Sequence, residues 1–275
     1  MRTNKDNLQH YISLAKDIRR TILDLVHSTG TPHIGSAFSC VEILVSLYFR
    51  IMNINPHRPL NPARDRFILS KGHACAGLYA ILQKRGFLSK KDIAAFAVNN
   101  GRLELHPSLN VKKGIEATTG SLGHGLSIGA GMAYAAKCDK KKFKTYVLLS
   151  DGELNEGSTW EAVMFAGHHR LNNLIAIIDY NKMQAMGFTR DILDLEPLAE
   201  KWGSFGWKAY EVNGHDFKDL FDVLESARKT IMMPAVVIAH TVKGKGVSFM
   251  ENNLLWHYRA PDHKEYKKAL KELLR

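Results

Sequence analysis

The sequence contains 275 residues, of which 45% are hydrophobic, so it can bury a full core and its length is closest to that of one large α/β domain. No apolar run approaches the ~20 residues of a membrane span, so we expect a protein that does not enter membranes. The formal net charge of +11 makes a nucleic-acid partner one possibility.

The first third of the chain predicts three helices and one strand. Apolar residues recur at three- and four-residue steps over residues 7–28, which is typical of an amphipathic helix. A second, buried helix is predicted over 41–52, with Ser39 and Glu42 as its capping box. The aliphatic run 66–70 predicts a strand, and 74–86 a helix that Gly86 ends.

The remainder of the chain alternates strands with helices. The predicted segments are the strands 145–150, 174–179, 207–212 and 235–241 and the helices 158–171 and 217–229. Such alternation favours a parallel sheet with helices on both faces. We find no repeat and no linker, so one α/β domain is predicted over residues 1–275.

The basic residues and the cysteines indicate little about function by themselves. Basic residues concentrate in 137–144 and in the tail after residue 262, but neither run interleaves with stacking aromatics. We therefore read them as solvated faces and expect no nucleic-acid partner. The three cysteines are odd in number and share no CxxC spacing, so they support neither a disulfide framework nor a zinc site and fit a reducing cytoplasm.

Polar residues directly follow two predicted strands. Asp151 and Gly152 come after the strand 145–150, and Asn181 comes after the next strand. If these strands are neighbours, both oxygens lie at the carboxyl edge of the sheet, where ligands bind in parallel α/β proteins. Such oxygens suit Mg²⁺ or Ca²⁺, and the pattern favours a metal-bridged diphosphate. A plain turn or helix cap is the alternative for Asp151 and Gly152 alone.

Four ordered blocks carry a family resemblance beyond this spacing. They are "DRFILSKGHA", "EATTGSLGHGLSIGAGMA", "SDGELNEGSTWEAVMFAGHHRLNNLIAIIDYNKMQAMG" and "AHTVKGKGVSFMENN". Together they resemble the amino-terminal half of a transketolase, specifically the separate subunit of the two-chain form. The resemblance implies the thiamine-diphosphate-binding fold and the transfer of a two-carbon glycolaldehyde unit from a ketose to an aldose, which can be sugar phosphates.

The resemblance also implies a cofactor site with thiamine diphosphate and Mg²⁺ or Ca²⁺. Asp151, Asn181 and the carbonyl of Met183 match the metal ligands. The cofactor-binding positions implied are His73, Gly120, Ser121, Leu122, Gly152, Glu153, Asn181 and His257. An ordinary histidine at a helix end is the alternative reading of His73.

Three histidines match residues that contact substrate. His33 and His257 match histidines at the mouth of the active site that assist proton transfer, and His106 matches one that holds the terminal hydroxyl of the donor. Imidazole suits this work because its ordinary pKa of ~6.5 lets it donate or accept a proton near neutrality.

The resemblance implies that the chain works only with a partner. The family's carboxy-terminal half would come from a second chain, in a heterotetramer of two plus two chains, and this chain alone is expected to be inactive. Glu156 matches an acid at the family's dimer interface. A glutamate favoured by the helix dipole in the first turn is the alternative for Glu156.

Several residues depart from the family pattern. Ser150 and His124 replace a glycine and a glutamine without removing a metal ligand, and "TPHIGS" replaces "SGHPGG". Leu105, Met186 and Tyr258 are bulky or apolar residues where the family has a glycine, an acid and a glycine. Because Leu105 and Tyr258 adjoin substrate-facing histidines, we expect a specialised sugar substrate.

Two alternative functions remain open at this point. The α subunit of another two-chain thiamine-diphosphate enzyme would also carry the motif from Asp151 to Asn181, although "KGH" and "HTVKGKG" favour transketolase. A non-catalytic regulatory subunit of the same fold is the second alternative. The metal ligands and histidines that match argue against it, whereas Leu105 and Tyr258 are compatible with it.

Overall fold

A central sheet organises the protein, which a computed structural model describes over residues 4–274. Its strands are β1 (Arg66–Leu69), β2 (Thr145–Ser150), β3 (Leu174–Tyr180), β4 (Lys208–Asn213) and β5 (Ala235–His240). The strand order is β1-β2-β3-β5-β4, and every neighbouring pair is parallel. All these strands therefore end at one edge, as the sequence predicted.

Helices cover both faces of this sheet. They are α1 (Asn4–Thr29), α2 (Ile34–Ser39), α3 (Val41–Ser46), α4 (Cys75–Arg85), α5 (Lys90–Ala94), α6 (Gly125–Cys138), α7 (Gly157–His168), α8 (Thr189–Ile192), α9 (Leu198–Ser204), α10 (Phe217–Lys229) and α11 (His263–Leu273). Alternate residues of β2 enter two separate cores: Tyr146 and Leu148 pack with α1 and α4, whereas Val147 and Leu149 pack with α6 and α7. The prediction of a parallel sheet with helices on both faces is confirmed. Within residues 4–274, none of the helices combines the length and the apolar character that a membrane crossing needs.

Strands and amphipathic helices match their predicted bounds closely. β2 spans 145–150 and α10 spans 217–229, both as predicted, and the bounds of the other predicted strands differ from the structure by one residue. α4 ends before Gly86, whose φ of 93° is the left-handed conformation that favours glycine. α6 was not predicted as a helix, because its many small residues give no clear apolar period.

The predicted helix over 41–52 and its capping box need correction. α3 ends at Ser46, and Leu47–Ile51 continues as a π-helical turn. The residue before α3 is Cys40, which makes no side-chain cap. Ser39 instead donates to Asp179, and Glu42 binds Arg19 and His215. Ser39 and Glu42 therefore form hydrogen bonds with residues distant in the chain instead of the predicted capping box.

One glycine of α7 allows a close helix–turn contact. A Cβ on Gly167 would lie 1.8 Å from the backbone oxygen of Phe205. We expect Gly167→Ala to lower the free energy of unfolding by about 1–3 kcal/mol in urea titrations, because the backbone must shift. Gly131→Ala in α6 is the matched control, since nothing lies within 4 Å of its Cβ. Equal effects of the two substitutions would contradict this prediction.

Candidate active site

A cavity of about 350 Å³ opens at the carboxyl edge of the sheet, next to the ends of β2 and β3. Ser150 at the end of β2 pairs with Asp179 of β3, so the residues that follow the two strands emerge side by side. The cavity is lined by Ser36, Lys71, His73, Leu122, Ser150, Asp151, Gly152, Asn155, Glu156, Asn181, Met183, Gln184, Ala185, Met186, Ile192, Lys243 and His257. The structure thus brings together residues from seven separate segments of the chain.

Asp151 has the properties of a cation ligand. Its side chain is buried, and its Oδ1 accepts a hydrogen bond from the Gly152 amide at 2.8 Å. Its Oδ2 is buried with no hydrogen-bond partner in the described part of the chain. Burial, and then the charge of Asp179, raise the Asp151 pKa to about 7. An orphaned buried carboxylate oxygen is costly unless a ligand completes it, so the site fits a metal ion.

Asn181 and Met183 form a turn beside Asp151. The Asn181 Oδ1 accepts a hydrogen bond from the Met183 amide at 3.1 Å, and Lys182 between them has a φ of 64°. Within residues 4–274 no three His, Cys, Asp or Glu side chains are grouped to hold a metal. The predicted ligands are one carboxylate, one amide and one backbone carbonyl, so they are not a cluster of three such side chains. Their role as a metal site remains a prediction.

A buried ion pair lies beneath this cavity. Lys71 and Asp179 are both fully buried and form a salt bridge. The Lys71 Nζ also donates to the Ser36 carbonyl at 3.0 Å, while Asp179 accepts from the hydroxyls of Ser39 and Thr241. The pair therefore joins the ends of β1, β3 and β5 to α2. Sequence reasoning missed both residues, although Lys71 stands in the "KGH" block.

Four histidines from separate loops cluster at the mouth of the cavity. The ring centroid of His33 lies 5.4 Å from that of His73, 5.0 Å from that of His257 and 6.5 Å from that of His106. His33 precedes α2 with a φ of 121°, which is strained for a residue with a side chain and is typical of functional positions. The predicted substrate-facing histidines thus lie together, as the resemblance implied, although their roles remain predictions.

Burial keeps most of this cluster neutral. Desolvation, followed by the charges of neighbouring basic groups, lowers the pKa of His33 to about 4 and that of His257 to about 3, and lowers the pKa of His73 well below its usual value. Near neutrality these rings can accept a proton, and each can donate only from its N–H.

Lys243 is a functional candidate that sequence reasoning missed. Its side chain is 1% exposed, lines the cavity, and places Nζ 3.1 Å from His257 Nδ1. Burial lowers its pKa to about 8, so it is largely cationic at neutral pH. A buried ammonium with so few anionic partners would favour an anionic ligand. The block "HTVKGKG", already quoted for the resemblance, was the available signal.

The remaining predicted cofactor residues lie in two loops that pack together. A Cβ on Gly72, beside His73, would lie 2.7 Å from the Gly120 amide, and one on Gly120 would lie 2.8 Å from the His106 ring. Leu122 lines the cavity, whereas Ser121 is exposed beside it. The close approach of these loops explains why glycine is required at Gly72 and Gly120.

Glu153 and Glu156 occupy different environments. The Glu153 carboxylate is buried and accepts from the Ser70 hydroxyl and from the Gly123 amide at 2.9 Å. These contacts hold the ends of β1 and the glycine loop together, so its direct contact with a cofactor remains a prediction. Glu156 is exposed at the start of α7 and lines the cavity.

The three departures from the family pattern lie near the histidines. Leu105 is 44% exposed, Met186 72% and Tyr258 56%. The Tyr258 hydroxyl donates to the Ala185 carbonyl, and Ala185 and Met186 line the cavity. Tyr258 therefore links the His257 turn to the loop after Asn181 and narrows the space between them.

The histidine cluster predicts a dependence of stability on pH. The pKa of His33 is about 4 in the folded protein and 6.5 in the unfolded chain. The unfolded chain therefore binds the proton first, and the contribution of neutral His33 to folding stability is lost as pH falls below 6.5. We expect His33→Asn to flatten the fall in unfolding free energy between pH 7 and 5. The change should stay below ~1.4 kcal/mol per pH unit, because the ring is partly exposed. The raised pKa of Asp151 makes stability change with pH in the opposite direction. Because Asp151 is present in both wild type and His33→Asn, its effect cancels when the two pH profiles are compared. Parallel pH profiles would contradict the prediction.

The sequence matches a known family over almost its whole length. A family model described as "Transketolase, thiamine diphosphate binding domain" matches residues 11–273. The chain is 42% identical over 255 residues to an apulose-4-phosphate transketolase subunit of Phocaeicola vulgatus, covering 93% of this chain and 90% of that protein. It is 40% identical over 267 residues to the 6-deoxy-6-sulfo-D-fructose transketolase subunit SqwG of a Clostridium species, covering 97% and 96%.

Solved transketolases share the fold. The transketolase of Leishmania mexicana superposes with a TM-score of 0.88 at 28% identity, covering 96% of this chain and 41% of that chain. The transketolase of Campylobacter jejuni gives a TM-score of 0.88 at 29% identity, covering 98% and 43%. This chain thus spans about two fifths of these solved proteins, but nearly the full length of the relatives that are named as transketolase subunits.

Proposed function

The chain belongs to the transketolase family, and we propose that it is the amino-terminal subunit of a two-chain enzyme that transfers a glycolaldehyde unit from a ketose to an aldose. The observation that carries this proposal is the cavity at the carboxyl edge of the sheet. There, the Asp151 oxygen that has no partner among residues 4–274 lies in the same cavity as Lys243 and His257, with His33 beside His257.

Thiamine diphosphate with Mg²⁺, or Ca²⁺ in its place, is the cofactor that we propose. Asp151, Asn181 and the Met183 carbonyl would hold the metal, since such oxygens suit these ions. Gly152, His73 and Leu122 line the cavity where the diphosphate and ring would lie. The bound cofactor supplies the carbanion that cleaves the ketose next to its carbonyl, whereas the protein supplies orientation and charge.

The histidines would move protons between substrate hydroxyls. Burial keeps both rings neutral, so His33 can accept a proton at neutral pH, whereas His257 would donate one. Lys243 stands 3.1 Å from Nδ1 of His257 and can donate to it, which leaves Nε2 to face a ligand with a proton of its own. His106 is exposed at the rim, where it would meet the terminal hydroxyl of the donor.

A partner chain would complete the enzyme. We propose a carboxy-terminal transketolase subunit in a cytoplasmic heterotetramer of two plus two chains, with residues 1–275 as one cofactor-binding domain. Its support is the length shared with relatives whose names describe one subunit of a transketolase. Exposed Tyr134, Met164 and Phe165 on α6 and α7 supply apolar surface for an interface.

The substrate would be a specialised sugar phosphate or a related acidic sugar. The names of two relatives specify apulose 4-phosphate and 6-deoxy-6-sulfo-D-fructose. Leu105, Met186 and Tyr258 add apolar surface around the histidines, which would favour a donor of altered shape at this end.

Reconstitution tests this proposal directly. The tagged chain should copurify with a partner of roughly 300 residues, and the complex with thiamine diphosphate and Mg²⁺ should transfer glycolaldehyde units, while the chain alone stays inactive. Ketose donors screened at matched concentrations should give unequal rates, because the pocket is altered. Efficient transfer from xylulose 5-phosphate as donor to ribose 5-phosphate as acceptor, at a rate equal to that of the other donors, would contradict a specialised substrate. A loaded complex without any transfer would favour a regulatory role.

A further inference from the structure

A buried charge cluster outside the cavity holds the segment that carries Lys243. Arg19 of α1 makes a two-pronged salt bridge to Glu42 of α3, with N···O distances of 2.6 and 2.8 Å. His215, in the turn after β4, places Nδ1 3.0 Å from Oε2 of the same carboxylate, the oxygen that also accepts from Arg19 Nη2. Arg19 is 5% exposed and Glu42 7% exposed, so solvent screens this cluster little.

Both partners of Glu42 also bind the backbone of the segment after β5. Nε of Arg19 donates to the Lys245 carbonyl at 2.8 Å, and the Val242 amide donates to His215 Nε2 at 2.8 Å. Because an amide can only donate, His215 Nε2 must accept, so the proton of this neutral ring is on Nδ1 and is donated to Glu42. Glu42 therefore stabilises the tautomer of His215 that accepts the hydrogen bond from the Val242 amide.

On its other side, the segment Val242–Lys245 contacts residues of the proposed active site. Lys243 lies between Val242 and Lys245, and its Nζ is 3.1 Å from His257 Nδ1. The Gly244 amide donates to the Gly35 carbonyl at 3.0 Å, and Gly35 lies two residues after His33. A shift of Val242–Lys245 would therefore move Lys243 away from His257 and loosen the turn that presents His33.

We propose that Arg19, Glu42 and His215 are positioning residues that set the place of Lys243 and, through it, of His257. None of the three lines the cavity at the carboxyl edge, and each acts through backbone groups of the Val242–Lys245 segment. The proposal rests on the proposed function of that cavity. Buried charges engaged on both sides by defined hydrogen bonds are suited to such orientation, because each alternative position leaves a charge unpaired.

Residue-resolved hydrogen exchange of the full chain tests the proposal without any substrate. The amide of Asn252 donates to the Lys243 carbonyl at 2.9 Å, so it reports on the Val242–Lys245 segment, as does the Gly244 amide. In His215→Leu, we expect both amides to exchange about tenfold faster, although neither is bonded to His215. The Thr241 amide, bonded to the Tyr180 carbonyl, should stay protected. His215→Gln can donate to Glu42 and accept from Val242, so it should restore protection. His240→Leu is the matched control, since its partner is Glu211 and not this cluster.

Affinity for thiamine diphosphate with Mg²⁺ gives the second readout. His215→Leu should bind it about tenfold more weakly than wild type at an unchanged apparent stoichiometry. Unchanged Gly244 and Asn252 exchange, or acceleration over the whole chain, would overturn the positioning role. If His215→Leu does not fold, His215→Asn is used, because its shorter amide cannot reach both partners. Failure of the wild-type chain and its partner to bind cofactor would overturn the proposed function instead, whatever the exchange pattern.

Discussion

Replacement of Asp151 by alanine is expected to abolish magnesium-dependent binding of thiamine diphosphate, with affinity falling about 100-fold or more, which corresponds to ~2.7 kcal/mol. The reason is the buried Oδ2 oxygen, which has no partner among the described residues and which a bound cation would satisfy. Isothermal titration of the reconstituted complex with cofactor, at fixed Mg²⁺, measures the loss.

Two further variants separate ligation from folding in this experiment. His33→Ala should bind cofactor normally and turn over slowly, because His33 faces the histidine cluster and not the metal ligands. Asp151→Asn should also lose binding, yet its apo form should be more stable at pH 8 by on the order of 2 kcal/mol. The sign follows from a folded pKa of about 7, raised above 3.8, so that stability is lost as pH rises through 7. Normal binding by Asp151→Ala together with lost binding by His33→Ala would contradict the assignment.

Replacement of Lys71 by methionine is expected to lower the free energy of unfolding by about 3–5 kcal/mol. Asp179 is fully buried, and the Lys71 ammonium is its only cationic partner within residues 4–274. The charge of Lys71 keeps the Asp179 pKa below its usual value, so Asp179 remains ionised at neutral pH and would be left uncompensated. Urea titration at pH 7 measures the loss.

A second substitution and an exposed pair serve as controls for Lys71. Adding Asp179→Asn should recover much of the lost stability, because the neutral amide can keep one hydrogen bond with each hydroxyl: its oxygen accepts from Thr241 and its NH2 group donates to Ser39. Lys84→Met breaks an ion pair with Asp17 whose side chains are 41% and 57% exposed, and should cost less than about 1 kcal/mol. Comparable losses at Lys71 and Lys84 would show that burial does not decide the outcome.

Local patterns in the sequence determined the framework of the molecule. Continuous aliphatic runs specify β2 and β3 because both faces of a parallel sheet are buried, and the amphipathic period specifies α10. Asp151 and Asn181 could be placed together from sequence alone, since the carboxyl ends of neighbouring parallel strands meet at one edge. The family resemblance supplied His33, His73 and His257, whose ring centroids the structure brings within 5.5 Å of one another.

Contacts between residues far apart in the chain were decided only by the tertiary structure. Glu42 looked like a capping residue, because its partners Arg19 and His215 lie 23 and 173 residues away. The salt bridge of Lys71 with Asp179 and the approach of Lys243 to His257 are likewise invisible to local periodicity. Such pairs form where separate elements pack, and burial then shifts their pKa values. The sequence by itself determined which strands end in polar residues, whereas folding determined which charges and rings surround them.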